Sequence, residues 1–432
     1  VAVVRPFRAV RYNRPVGSDI SPLAAPPYDV VTPEQRERLL ATDGHNVVAL
    51  ELPEGPLDPS APANRYETGA VRWREWMAGG VLAQDDAPAV YVLEQRYAHG
   101  DTTISRRGFV AAVDLEPFSA GVVLPHERTL PKAIDDRLNL TRATAANLSQ
   151  VFGMYADPEH ATDALISKAM ATVPLATATD EAGVVSTVWA LSDPADHAEL
   201  AAHLAGESVF IADGHHRYTT ALAYRDERRS AAGADAARTP AYDSVMMTLV
   251  NMDDPGLTVW PTHRIADAPG VFDEGRFWAS LAERFELSEL PGGHPAEALD
   301  SPDGRTTFLV KTRSGRTRVA RLRADVDHAA AFPAGSSDAW RSIDVAVLQE
   351  LILSPLLDIH PDRPGTLERL RFSKDAHETL RLAEEHDAVF VVNPTRMDQV
   401  ASVALAGETM PQKSTYFYPK LLSGLLFKRL DD

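Results

Sequence analysis

Asp213-Gly214-His215-His216-Arg217 puts a carboxylate, a glycine, two imidazoles and a guanidinium in consecutive positions, directly after the apolar run Val209-Phe210-Ile211-Ala212. These residue types suit phosphate chemistry. A strand that breaks into a turn before a helix aims backbone N–H groups and the helix N-terminus at one point, which favours an anion. Gly214 permits the close approach. The Arg217 fork can hold a phosphate at two oxygens, and Asp213 can take a magnesium ion or a proton. A solvated turn with a surface-paired arginine is the plain alternative.

Three further stretches carry reactive groups. Pro125-His126-Glu127-Arg128-Thr129 presents an imidazole and a carboxylate after a short apolar run. Pro261-Thr262-His263-Arg264 places another His and Arg at a strand end, where Arg264 can neutralise phosphate or a substrate carboxylate, or pair with a surface acid. The closing segment Met410 to Leu421 gathers Lys413, Ser414, Thr415 and Lys420 among aromatics. A lysine there supplies a point charge, but the glycine frame of a Walker A loop is missing. Packing of a basic aromatic terminus is the equal alternative.

The elements that must position these groups alternate between strand and helix. Strand patterns fall at residues 3–12, 46–52, 89–97, 107–115, 151–155, 209–212, 242–251 and 257–260, and again at 306–312, 316–322 and 388–392. Residues 25–31 read as an extended, proline-stiffened segment. Thr32-Pro33-Glu34-Gln35 is a capping box with Pro at the first helical position. Helices are expected at 66–77, where Trp73 and Trp76 face the core, at 134–147 with Asp135, Asp136 and Arg137 in the first turn, and at 158–171, 194–204, 273–285, 342–353, 374–385 and 396–405. Residues 230–240 read as a loose loop and 332–337 as a linker. No internal repeat is evident.

A chain of 432 residues buries a substantial core, and its 44% apolar and 24% charged content is that of a globular protein of two or three units. The net charge of −18 opposes nonspecific binding to nucleic acid. The absence of cysteine excludes disulfides, thiolate catalysis and cysteine-ligated metals. With no apolar run of spanning length, the reading is a cytoplasmic protein without a membrane partner. Its oligomeric state is not legible.

Taken together, IADGHHRYTTAL, PPYDV, the PHE-T of residues 125–129, Asp136-Arg137 with Asn147, PTHR and MPQKSTYFYPK resemble the signatures of the conserved "domain of unknown function 1015" family over nearly the whole chain. That family is similar in its core to the ParB/sulfiredoxin-like fold. The resemblance implies a mixed α/β protein with such a core at 121–267, flanked by α/β segments at 1–120 and 268–432 that complete one cleft. Over the core alone, the DGHHR turn is similar to the phosphate-binding turn of the ADP-dependent free serine kinases. This narrower resemblance implies Glu127 as general base, Asp213 as magnesium ligand and His216 as a third catalytic group. It implies Gly214, His215, Arg217, Arg264, Lys413, Ser414 and Thr415 as the phosphate and nucleotide contacts. Asp29, His126, Asp136, Arg137, Asn147, His263 and Lys420 are further cleft candidates, although acids such as Asp136 in a first helical turn also serve the helix dipole.

Three functions follow. The first is a phosphotransferase that uses ADP or ATP with Mg2+ and acts on a small molecule, free L-serine if the kinase resemblance extends to substrate. The second is a metal-dependent phosphohydrolase of O-phosphoserine using His126, His215, His216 and His263 with Asp213, for which no HExxH-like spacing is present. The third is a nucleotide-binding ParB-like regulatory module, against which the acidic balance and the lack of a basic face count.

Overall fold

The computed structural model describes every residue except 130, 233–239, 291–294, 296, 302, 364 and 432. It divides into two units. The first comprises residues 1–125, 129–258 and 419–432, and the second comprises 126–128 and 259–418. Residues 121–125 and 129–258 of the 121–267 segment thus lie in the first unit, and 126–128 with 259–267 lie in the second. The chain is mixed α/β throughout.

Among the described residues, the first unit is built on a ten-stranded sheet. Its centre is the hairpin of Val90–His99 and Thr102–Asp114, antiparallel from Tyr91↔Val110 to His99↔Thr102. Ser244–Asn251 pairs with the second hairpin strand and runs parallel to Val151–Tyr155, and these strands are buried along their whole length. Burial on both faces explains their continuous apolar sequence. Next comes Val209–Asp213, antiparallel to Val151–Tyr155 and parallel to the short Val123–Leu124 strand. Its register slips between Ile211, opposite Gly153, and Asp213, opposite Phe152. The extra residue is a bulge, which re-aims the side chain that follows it.

A four-stranded sheet in the same unit carries Ala9–Tyr12 between Leu82–Gln84 and Phe427–Arg429, so the last strand of the chain pairs with one of the first. The second unit has a six-stranded sheet in which His263–Ala266 lies between Leu370–Ser373 and Ala388–Val391. Phe277, Phe308, Phe390, Leu348 and Ile352 pack in its core. Among the described residues, no helix is long and apolar enough to cross a membrane.

Several sequence expectations change. Residues 46–52 are not a strand. Asn46 accepts the Val48 N–H on its side chain at 3.0 Å and donates to the Pro22 and Ala24 carbonyls, nucleating the helical turn Val48–Glu51 that the β-branched residues had masked. The helix expected from 134 starts at Pro131, a favoured first position, which moves Asp135, Asp136 and Arg137 out of the first turn and away from the dipole role. It ends at Thr144, and Asn147 lies on the short strand that follows. The helix expected at 158–171 begins only at Asp163, because Asp157 caps the preceding turn through the Ala161 and Thr162 N–H groups. The segment at 342–353 passes from α-helix into a π turn at Gln349–Leu353. The loop expected at 230–240 falls largely on 233–239, outside the described residues.

Candidate functional site

The bulged strand ends at Asp213, Gly214 has φ +90, and the helix His215–Ala232 starts at once. His215, His216 and Arg217 are therefore its first turn, closed by the Tyr218 N–H donating to the Gly214 carbonyl at 3.0 Å. Arg217 folds back over the glycine. A Cβ at position 214 would lie 2.9 Å from Arg217 Nε, so the glycine serves both the backbone turn and the guanidinium that crosses it.

Two cations attend the Asp213 carboxylate. Lys420 Nζ donates to Oδ2 at 2.8 Å, and Arg217 Nη2 lies 3.6 Å from Oδ1. The side chains of Asp213 and Lys420 are four-fifths buried. Burial opposes the charge on Asp213, but Lys420, Arg217 and His215 outweigh it and hold the carboxyl well below its usual range. Asp213 is ionised at any working pH.

Lys420 is positioned by residues that sequence reasoning missed. Gln95 and Arg106 face each other across the central hairpin. Arg106 donates to the Gln95 side chain and to the Pro419 carbonyl, and Gln95 Nε2 donates to the Lys420 carbonyl at 3.0 Å. Two polar side chains paired inside buried strands were the available signal.

Beside the turn, Arg137 stacks on the Tyr28 ring at 4.1 Å and donates to Asp136 at 2.6 Å and to the Glu51 carbonyl at 2.9 Å. Asp136 also accepts from the Tyr66 hydroxyl at 3.0 Å. Asn147 Oδ1 accepts the Met246 N–H, tying two strands. Asp29 is exposed on the segment next to Tyr28, close enough to contribute to the field at Arg217. Glu51, which the misread strand concealed, is 4% exposed.

The remaining candidates lie in the second unit. His126 is buried and its Nε2 is 2.9 Å from Thr415 Oγ1, while its carbonyl accepts from the Met410 N–H at 2.8 Å. Arg264 is buried and spends its guanidinium on the carbonyls of Thr262, Gln412 and Lys413, so it acts as a clamp on the closing loop. Burial lowers its pKa and the charge of Glu127, half-buried nearby, opposes that. Ser414 is buried and its hydroxyl bonds the Pro411 carbonyl at 2.5 Å. Lys413 is exposed with φ +57, a left-handed backbone that a lysine adopts only under constraint. His263 accepts the Val392 N–H at Nδ1, 3.2 Å away, and burial pushes its pKa down to about 4.

Around the expected magnesium ligand, Asp213, Lys420 occupies Oδ2 and Arg217 Nη2 lies 3.6 Å from Oδ1, and among the described residues no group of three or more His, Asp or Glu side chains could hold a metal.

A family model described as "Protein of unknown function (DUF1015)" matches residues 4–346. The chain belongs to the DUF1015 family. No protein of curated function matches it. Among solved structures, this DUF1015 protein is similar to a free serine kinase mutant in complex with ADP, at 12% identity and a TM-score of 0.34 over 69% of this chain and 84% of that one. It is similar at 12% identity to SbnI with a C-terminal truncation from Staphylococcus aureus, with a TM-score of 0.34 over 72% and 84% of the two chains. A conserved hypothetical protein from Pyrococcus furiosus gives 13% identity and a TM-score of 0.32 over 70% and 89%. Scores this low transfer no activity to the DUF1015 chain.

Proposed function

We propose that this DUF1015 protein is a nucleotide-dependent small-molecule phosphotransferase, with ADP or ATP as donor and free L-serine as the acceptor to try first. The convergence of donors at the turn carries this reading: two cations, Lys420 and Arg217, flank the Asp213 carboxylate. They sit at the start of the His215–Ala232 helix, the end at which the helix dipole is also positive. A phosphoryl group there meets charge and fixed donors together.

Phosphoryl transfer asks for little more than positioning and neutralisation of charge. Asp213 holds Lys420 and Arg217 in place, and both would stabilise the oxygens of the transferring group. The acceptor oxygen forms the new P–O bond, its proton passes to a base, and the bond to the nucleotide breaks. Magnesium enters this reading only as a counter-ion carried on the nucleotide's phosphates, and no step depends on a protein-held ion.

The test is phosphorus NMR on the full chain with Mg2+, L-serine and either ADP or ATP, with O-phosphoserine incubated separately. O-Phosphoserine appearing with AMP from ADP, or with ADP from ATP, and lost in Asp213→Ala, is the expected result. Unchanged spectra with every nucleotide would sink the reading, and phosphate released from O-phosphoserine alone would replace it with hydrolysis.

A further inference from the structure

Beside the DGHHR turn, Glu51 is 4% exposed, and its two carboxylate oxygens differ. Oε2 lies 3.4 Å from Arg137 Nη1, whereas Oε1 is buried with no hydrogen-bond partner among the described residues. Thr220, 3% exposed on the helix that begins at the turn, likewise has a buried hydroxyl without such a partner. Both residues line one cavity, together with Arg137, Asn147, Ser149 and Arg217. The cavity has a volume of about 40 Å³. That space suits one end of a small molecule and excludes a nucleotide.

The chemistry of the wall selects the guest. The Ser149 hydroxyl in the same wall helps hold the Glu51 charge, yet Oε1 beside a Thr220 hydroxyl that can also accept still suits a group with several N–H or O–H bonds, since a buried carboxylate oxygen left unpaired is costly. A second anion would be repelled by Glu51. A divalent ion would sit beside the guanidinium groups of Arg137 and Arg217 with one carboxylate to hold it. A primary ammonium has three donors and one positive charge, and it fits both acceptors. Arg137 is largely spent on Asp136 and on Glu51 itself, so it orients Glu51. Arg217 has donors left for a carboxylate on the same molecule.

We propose that this cavity is the subsite for the ammonium group of a small amino acid, with Glu51 Oε1 and Thr220 Oγ1 accepting from it and Arg217 taking the carboxylate. Only the further step of calling that amino acid the phosphate acceptor rests on the phosphotransferase reading.

Calorimetric titration of the full chain without nucleotide tests the subsite, using L-serine and glycerate, which keeps the carboxylate and both carbons but has hydroxyl in place of ammonium. We expect L-serine to bind at least about tenfold tighter than glycerate, Glu51→Gln to remove that preference, and Thr220→Val to weaken L-serine by about threefold. Equal affinity of the wild type for both ligands, or undiminished L-serine affinity in a folded E51Q, would overturn the proposal. If E51Q fails to fold by circular dichroism, T220V decides, and unchanged L-serine affinity in it overturns the proposal as well. Selective L-serine binding without phosphate transfer from any nucleotide would support the subsite while retiring the kinase reading. Transfer to an acceptor that lacks an amine, unaffected by E51Q, would overturn the subsite and leave the kinase reading intact.

Discussion

Lys420 Nζ donates to Asp213 Oδ2 at 2.8 Å across a sequence separation of 207 residues. Lys420 is thereby tied to the strand end that carries the DGHHR turn. Removing one partner leaves a largely buried charge with weaker compensation, because Arg217 is 3.6 Å from the other oxygen. Lys420→Met should cost about 3 kcal/mol in urea denaturation, and Asp213→Asn a similar amount. Since the two residues act as a pair, the double variant should lose clearly less than the sum. Additive losses would show that the contact carries no coupling.

Gly214 joins two demands that substitution can separate. Gly214→Ala places a Cβ 2.9 Å from Arg217 Nε on a backbone of φ +90, whereas Gly121→Ala meets φ +68 with no heavy atom within 4 Å. Both should lose about 1–3 kcal/mol from backbone strain. Only G214A should also lose affinity for nucleotide, read by equilibrium dialysis with ADP, because Arg217 must swing off the turn. Equal nucleotide affinity in the two variants would remove Arg217 from the phosphate contacts.

The turn itself was legible because an apolar run changes abruptly to DGHHR, and the strand and helix on either side follow from periodicity. What the sequence hid was reach. Glu51 was concealed when Val47, Val48 and Leu50 imitated strand alternation while Asn46 was capping a helical turn. Gln95 and Arg106 act through the Pro419 and Lys420 carbonyls, contacts no local pattern announces. The contacts of Arg264 with the carbonyls of residues 412 and 413 likewise lie too far along the chain for a local pattern to announce.

Arg106 holds the backbone on which Lys420 stands, so its loss should be felt at the lysine. Arg106→Met keeps much of the buried volume but frees the Pro419 carbonyl, to which Nη2 donates at 2.5 Å. Beyond a loss of about 1–3 kcal/mol for the carbonyl and amide left unpaired, the Lys420 Nζ signal of carbon-13-methylated protein should move toward that of an exposed lysine. A destabilised variant whose Lys420 signal is unmoved would reduce Arg106 to a core residue.

His263 gives the fold a pH dependence whose sign is fixed by its hydrogen bond. Nδ1 accepts from the Val392 N–H at 3.2 Å, so the folded chain needs the neutral ring, and burial, with Arg264 adding to it against Asp375, lowers the pKa to about 4. The unfolded chain takes up the proton near pH 6.5. Between these values the unfolded state binds more protons, and stability must therefore rise with pH. The contribution is complete above about pH 6.5, declines as the pH falls, and stops changing below about 4, for a total on the order of 3 kcal/mol. Asp213 adds its own loss only at lower pH, because its carboxyl is held below the ordinary range. Urea midpoints at pH 7, 5.5 and 4 should show this decline in the wild type. His263→Asn, which can still accept the Val392 N–H but has no proton to gain, should flatten it, and an unchanged slope in H263N would place the titrating group elsewhere.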